Sequence, residues 1–164
     1  MIQEKPNSRP VRSALGGLFL LLLMASLACS LLTGNDQLNQ AEKKWGKQGI
    51  HSYTIQVRQS EALWHTQVQT IIVRDDKVVD SSAECIADAG SPAGTCKLDP
   101  FDPNAYTVAG LFAEAQTDLS GQNSRWMKVS YDPKLGYPTQ IAYNNPLILD
   151  GGWSWDVVKF EILK

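Results

Sequence analysis

The sequence predicts an α+β fold, an antiparallel sheet of about six strands with two helices packed on one face. Three observations predict it. Two segments place apolar residues at helical spacing, several others alternate apolar with polar residues, and the order along the chain is helix and three strands, then helix and three strands. That order also suggests a tandem helix plus three-strand pseudo-repeat.

The first helix follows from Leu38, Ala41 and Trp45, with Gly49 as its stop. Next, Tyr53, Ile55 and Val57 alternate with Thr54, Gln56 and Arg58. Trp64, Val68 and Ile72 then alternate with Gln67 and Gln69, which puts the glutamines and His65 on the polar face of a second half-buried strand. Asp75-Asp76-Lys77 is a polar turn into Val78-Val79, so the second and third strands form a hairpin. Residues 85–103 hold prolines and glycines without a regular period and read as a long irregular connection.

The second helix is the clearest element. Val108, Leu111, Phe112, Ala115 and Leu119 form one stripe, Thr107 can cap its start and Gly121 can end it. Strands are expected at residues 125–131 and 137–144, joined through Asp132-Pro133-Lys134-Leu135-Gly136, where proline presets one torsion and glycine permits a left-handed exit. In the last strand Trp153, Trp155 and Val157 are odd-numbered and Val158, Phe160 and Ile162 even-numbered. This switch predicts a bulge near Val157 and Val158, or a centre buried on both faces.

Ahead of the first helix, Lys5, Arg9 and Arg12 precede an uncharged stretch that runs into Ser26-Leu27-Ala28-Cys29. This reads as a bacterial lipoprotein signal. Residues 1–28 are then the signal peptide, Cys29 the lipidated first residue carrying palmitate, 29–36 a tether and 37–164 a single α+β domain. The competing reading is a retained membrane helix, because residues 13–35 lack charge and a span needs about 20 residues. Gly16, Gly17 and the Ala28-Cys29 junction favour cleavage. Either reading exports the remainder and anchors it to the cell membrane or outer membrane.

The full chain carries 15 Lys plus Arg against 17 Asp plus Glu, a net charge of -2, and loss of the basic leader makes it more acidic. Nucleic-acid binding needs a basic stripe that this composition lacks, so nucleic acid is not an expected partner. Cys85 and Cys96 remain after Cys29 is assigned to lipid, and in an oxidising exported setting they read as one disulfide. A reactive or metal-binding pair is the alternative, but the spacing is not Cys-x-x-Cys and His51 and His65 lie elsewhere.

From Val129 to Ile141, through Ser130-Tyr131-Asp132-Pro133-Lys134-Leu135-Gly136-Tyr137-Pro138-Thr139-Gln140, the sequence resembles a bacterial family known as domain of unknown function 6174. Trp45 followed by Ile50 and Tyr53, and Thr107-Val108-Ala109-Gly110-Leu111-Phe112, carry the same resemblance. It implies a small exported domain, often lipid-anchored, and assigns no catalytic or binding residues. Many members have a Cys-x-Cys near the end of the first strand, where this chain has Gln59-Ser60-Glu61-Ala62.

Chemistry is sparse. There is no Gly-x-Ser-x-Gly elbow, no His-x-x-x-His and no paired Cys-x-x-Cys, so no catalytic residue, metal or cofactor is assigned. The acidic run Asp99-Pro100-Phe101-Asp102-Pro103-Asn104 offers oxygens to calcium but lacks the alternating ligands of a known loop, and proline-aspartate turns explain it better. Asp75 with Asp76, and Asp150 with Asp156, read as turn and strand-edge solvation before acid and base catalysis. Trp153 and Trp155 share a strand face beside the Asp150-Gly151-Gly152 turn and are the candidate binding residues, as a stacking platform for a sugar or an anchor for a protein. Core packing is the competing role for both rings.

These features describe an exported, lipid-anchored cell-envelope protein acting as a binding or interaction module, whose partners are the membrane and an unidentified envelope protein or small ligand. One alternative is a small envelope hydrolase with two of Asp99, Asp102, Asp132, Asp150 and Asp156 in an enclosed cleft. The other is a carrier of a small apolar ligand between helices and sheet.

Overall fold

The computed structural model describes residues 33–61, 65–87, 96–149 and 151–164. The expected signal, Cys29, Trp64 and Asp150 lie outside them. Helix α1 (Gly34–Gly46) leads into strands β1 (Tyr53–Glu61), β2 (His65–Arg74) and β3 (Lys77–Ile86). Helix α2 (Val108–Ser120) then precedes β4 (Met127–Tyr131), β5 (Pro138–Tyr143) and β6 (Trp153–Ile162). The strands form one sheet in the order β3-β2-β1-β6-β5-β4, antiparallel at every pairing. Among the described residues no helix is long and apolar enough to cross a membrane.

Helix α1 starts at Gly34, inside the expected tether, and buries Leu38 and Ala41. Asp36 in its first turn and Lys43 and Lys44 in its last oppose the helix dipole. In α2, Val108, Leu111, Phe112 and Ala115 are buried, and the Thr107 hydroxyl accepts the Gly110 N–H at 3.0 Å as the cap. Gly121 ends α2 with extended backbone (φ -76°), its N–H donating to the Asp118 carbonyl. A short 3₁₀ turn at Pro103–Tyr106 lies directly on α2, since a Cβ at Gly110 would stand 2.1 Å from the Asn104 carbonyl oxygen.

Both helices cover the same sheet face. The core joins Leu38, Leu111 and Ala115 to Tyr53, Ile55, Val57, Ile71, Val73 and Ile141. Beside it, the Trp45 ring meets Tyr53, Tyr137 and Phe160 edge-on at 5.9, 6.2 and 5.8 Å. The β4–β5 turn is held by the Asp132 carboxylate, which accepts the N–H groups of Lys134 and Leu135 at 2.8 and 2.6 Å. Gly136 has φ +93°, and a Cβ there would lie 2.7 Å from the Ala41 carbonyl, so helix α1 rests on this turn.

The expected bulge is present: Val57 pairs with Val157 while Gln56 pairs with Lys159, so Val158 is the extra residue and Phe160 returns to the core. One expected orientation is reversed. Gln67 and Gln69 are 1% and 0% exposed and share the helix-covered face with Ile71 and Val73, whereas Ile72 lies on the other face. Alternation alone put the glutamines outward. Asp99 in the residue 96–106 segment pairs with the Gln67 amide, and Gln59 of β1 accepts from Gln69 Nε2, which offsets much of the cost of burying them.

Candidate functional site

The end of the sheet where β1 meets β2 and β5 meets β6 gathers both candidate tryptophans. Register places Glu61 opposite Trp153 and Gln59 opposite Trp155, and Tyr143 opposite Trp153 on the other side. Both tryptophans are half-buried and pack against the core cluster.

Trp155 is committed to structure. Its ring stacks on Tyr106 with centroids 4.6 Å apart and planes 20° from parallel. The Tyr106 hydroxyl donates to Gln59 Oε1 at 2.5 Å, the same oxygen accepts Gln69 Nε2 at 3.0 Å, and Gln59 Nε2 donates to Glu61 at 2.6 Å. Gln67 adds a two-way clasp, accepting the Asp99 N–H at 2.9 Å and donating to the Asp99 carbonyl at 3.3 Å. This network fastens the 96–106 segment over the sheet. Burial, followed by the nearby Glu61 and Glu114 charges, pushes the Tyr106 phenol up to about 12. Gln69 Oε1 is buried with no hydrogen-bond partner.

Trp153 has a different setting. It borders a crevice of about 320 Å³ between the end of α2 and the starts of β4 and β6, with Tyr143 and Met127 on the apolar side and Asp118, Gln122 and Asn123 on the polar side. The volume is at the small end of ligand pockets. Asp118 Oδ2 is buried and unpartnered. Burial first, and the Glu114 charge second, raise its carboxyl to about 6. A crevice bordered by aromatic rings and by carboxylate and amide side chains can seat a group with an apolar body and a polar tip. A smaller crevice of about 190 Å³ shares Met127 and is lined by Gly34, Leu119 and Tyr131. The groove of about 460 Å³ along the seam of α1 and α2 is bordered by Leu38, Trp45 and Phe112.

The remaining candidates are dispersed. Asp102 caps the 3₁₀ turn through the Asn104 N–H, Asp132 organises the β4–β5 turn, and Asp156 accepts Gln140 Nε2 and the Ser154 hydroxyl, each at 2.7 Å. None of these three borders the crevices just described. Asp75 and Asp76 take φ of +48° and +62° in the β2–β3 turn, and Asp76 pairs with His51 at 2.7 Å. His65 opens β2 opposite Glu61. Cys85 and Cys96 form a disulfide, which ties β3 to the start of the 96–106 segment. Asp118 was missed in the sequence because a lone acid in the last turn of a helix has no spacing signature, and only the fold covers it.

Fold and site together define a class: a single antiparallel sheet with both helices on one face and a half-polar crevice at the sheet end below them. Within that class the chain belongs to the family of unknown function DUF6174, whose profile matches residues 37–162. No curated protein and no solved structure matches it.

Proposed function

We propose that this is an exported protein, held at the cell envelope by lipid on Cys29, that acts as a binding module and takes a protein segment into the Trp153 crevice. The observation that carries the reading is one crevice bordered together by Trp153, Tyr143, Met127 and the polar side chains of Asp118, Gln122 and Asn123, beside a buried Asp118 oxygen without a partner. A peptide offers what that pairing needs, an apolar or aromatic side chain beside a backbone or side-chain donor. Export is supported by the basic and apolar leader and by the Cys85–Cys96 disulfide, since such bonds persist in oxidising compartments.

The hydrolase reading draws less support, because Asp102, Asp132 and Asp156 serve turns and strand contacts and border none of the three crevices described above. The apolar-carrier reading needs internal space, and between helices and sheet Ile55, Ile71, Leu111 and Val108 pack at 0 or 1% exposure.

A photoreactive phenylalanine analogue at exposed Gln122, in the full-length protein in its native envelope, tests the reading. One discrete crosslinked partner is expected, lost on Trp153→Ala and weakened on Asp118→Asn. Crosslinking that neither substitution changes would remove the crevice as the binding site. Palmitate incorporation that persists in Cys29→Ala would remove the anchor.

A further inference from the structure

We propose that the loop between β5 and β6 is a membrane-contacting tip, with Leu147, Ile148 and Leu149 seated in the lipid surface to which the chain is tethered. The inference rests on the anchoring reading above and goes beyond it. These three consecutive residues are 79%, 52% and 92% exposed. Scattered exposed aliphatics are ordinary, but three in a row form a patch.

The loop is built to present them. Asn145 accepts the Leu147 N–H on its side-chain oxygen at 3.0 Å and the Ile148 N–H on its carbonyl at 3.1 Å, and its amide donates to the Tyr143 hydroxyl at 3.3 Å. The Gly151 N–H closes the turn on the Ile148 carbonyl at 3.4 Å. Local backbone and asparagine bonds therefore hold the turn, and the aliphatic side chains are left to face outward.

Its surroundings follow the layering of a bilayer interface. Tyr143 and Trp153 stand at the two ends of the loop as neighbours in the sheet. The Asn144 N–H donates to the Trp126 carbonyl at 3.1 Å, which brings in a second tryptophan, and the exposed Arg125 guanidinium lies 4.8 Å from that ring's centre. Exposed Lys128 follows Met127, the strand partner of Tyr143. Aliphatics at the tip, tryptophan and tyrosine behind them and cations beyond match acyl chains, the interfacial belt and lipid phosphates in turn.

The tether begins at this same end. A Cβ on Gly34 would lie 2.9 Å from the Leu119 side chain, and Gly34, Leu119 and Met127 border one crevice, a single strand spacing from Tyr143. The stretch from Cys29 to Gly34 reaches at most about 18 Å fully extended. The chain therefore leaves the described domain from the loop's end of the sheet, and a loop contact would orient a protein already held by lipid.

The test uses the full-length, envelope-processed protein in phosphatidylethanolamine and phosphatidylglycerol vesicles, with a polarity-sensitive thiol dye. Leu149→Cys is expected to give blue-shifted emission quenched by nitroxide-bearing lipids, while Lys77→Cys, at the opposite end of the sheet, reports water. Water-like, unquenched emission at Leu149→Cys would overturn the proposal. Blue-shifted emission that nitroxide lipids leave unquenched would also overturn it, in favour of a second copy of the chain covering the loop. The protein without an added cysteine should take no dye, because Cys29 is acylated and the other two cysteines are joined. Labelling that peptide mapping places on Cys29 would show that the anchoring reading itself had failed.

Discussion

Asp118 carries the most informative charge in the described structure. Its carboxyl titrates near 3.8 when free and near 6 when folded, raised by burial and then by Glu114. The folded state therefore holds the proton more tightly, so stability from this group is complete below about pH 4 and is lost as pH rises through about 6. The full gap is discounted to about 1 kcal/mol because the side chain is only partly covered and water screens it. Asp118→Asn should unfold about 1 kcal/mol harder than the parent at neutral pH, with the difference closing below pH 4. Urea titrations across that range check it, and parallel curves would show that Asp118 is not strained by its surroundings. At this scale the sequence was partly legible. Gly136, Thr107 and the bulge at Val158 follow from local chemistry, since turn torsions, caps and alternation act over a few residues. Gln67 and Gln69 were illegible, because their burial depends on Asp99, Gln59 and Tyr106, which are distant in the chain.

Among elements, α2 and the turn before it behave as one unit. The 3₁₀ turn sits against Gly110, the Thr107 side chain caps α2, and the Tyr53 hydroxyl accepts the Val108 N–H at 3.0 Å. Gly110→Ala places a methyl inside the Asn104 and Ala105 backbone, which has no flexible end to yield. It should cost at least about 3 kcal/mol, the upper part of the range for overpacking. Guanidinium unfolding reads this directly, and a loss under about 1 kcal/mol would mean that the turn can lift from the helix. The stripe of α2 was plain because a helix writes its buried face at fixed spacing. Cys85 and Ile86, expected in the irregular connection of residues 85–103, belong to β3, because they pair with β2 through Gln67↔Cys85 and Thr66↔Ile86.

Across the whole molecule, the Cys85–Cys96 disulfide joins an edge strand to the segment that the glutamines clasp. Its short loop predicts a loss of about 3 kcal/mol for Cys85→Ser with Cys96→Ser, through a less restricted unfolded chain. Denaturation with and without reductant measures this, and a reductant-insensitive parent would show that the bond adds no stability. Sheet order has a consequence for function at this scale. β6 lies between β1 and β5, which brings the Trp153 crevice and the loop bearing Leu149 to the end of the sheet near Gly34, the first residue of α1.

Element types, caps, turns and the pairing of two cysteines were determined by the sequence alone, because each is set by interactions between residues close in the chain or by composition. The tertiary structure decided which face of β2 is buried, that Trp155 stacks on Tyr106 while Trp153 also borders a crevice, and that one Asp118 carboxylate oxygen is buried without a partner. Those outcomes depend on strands and turns far apart in sequence meeting at one end of the sheet, and no local spacing encodes that meeting.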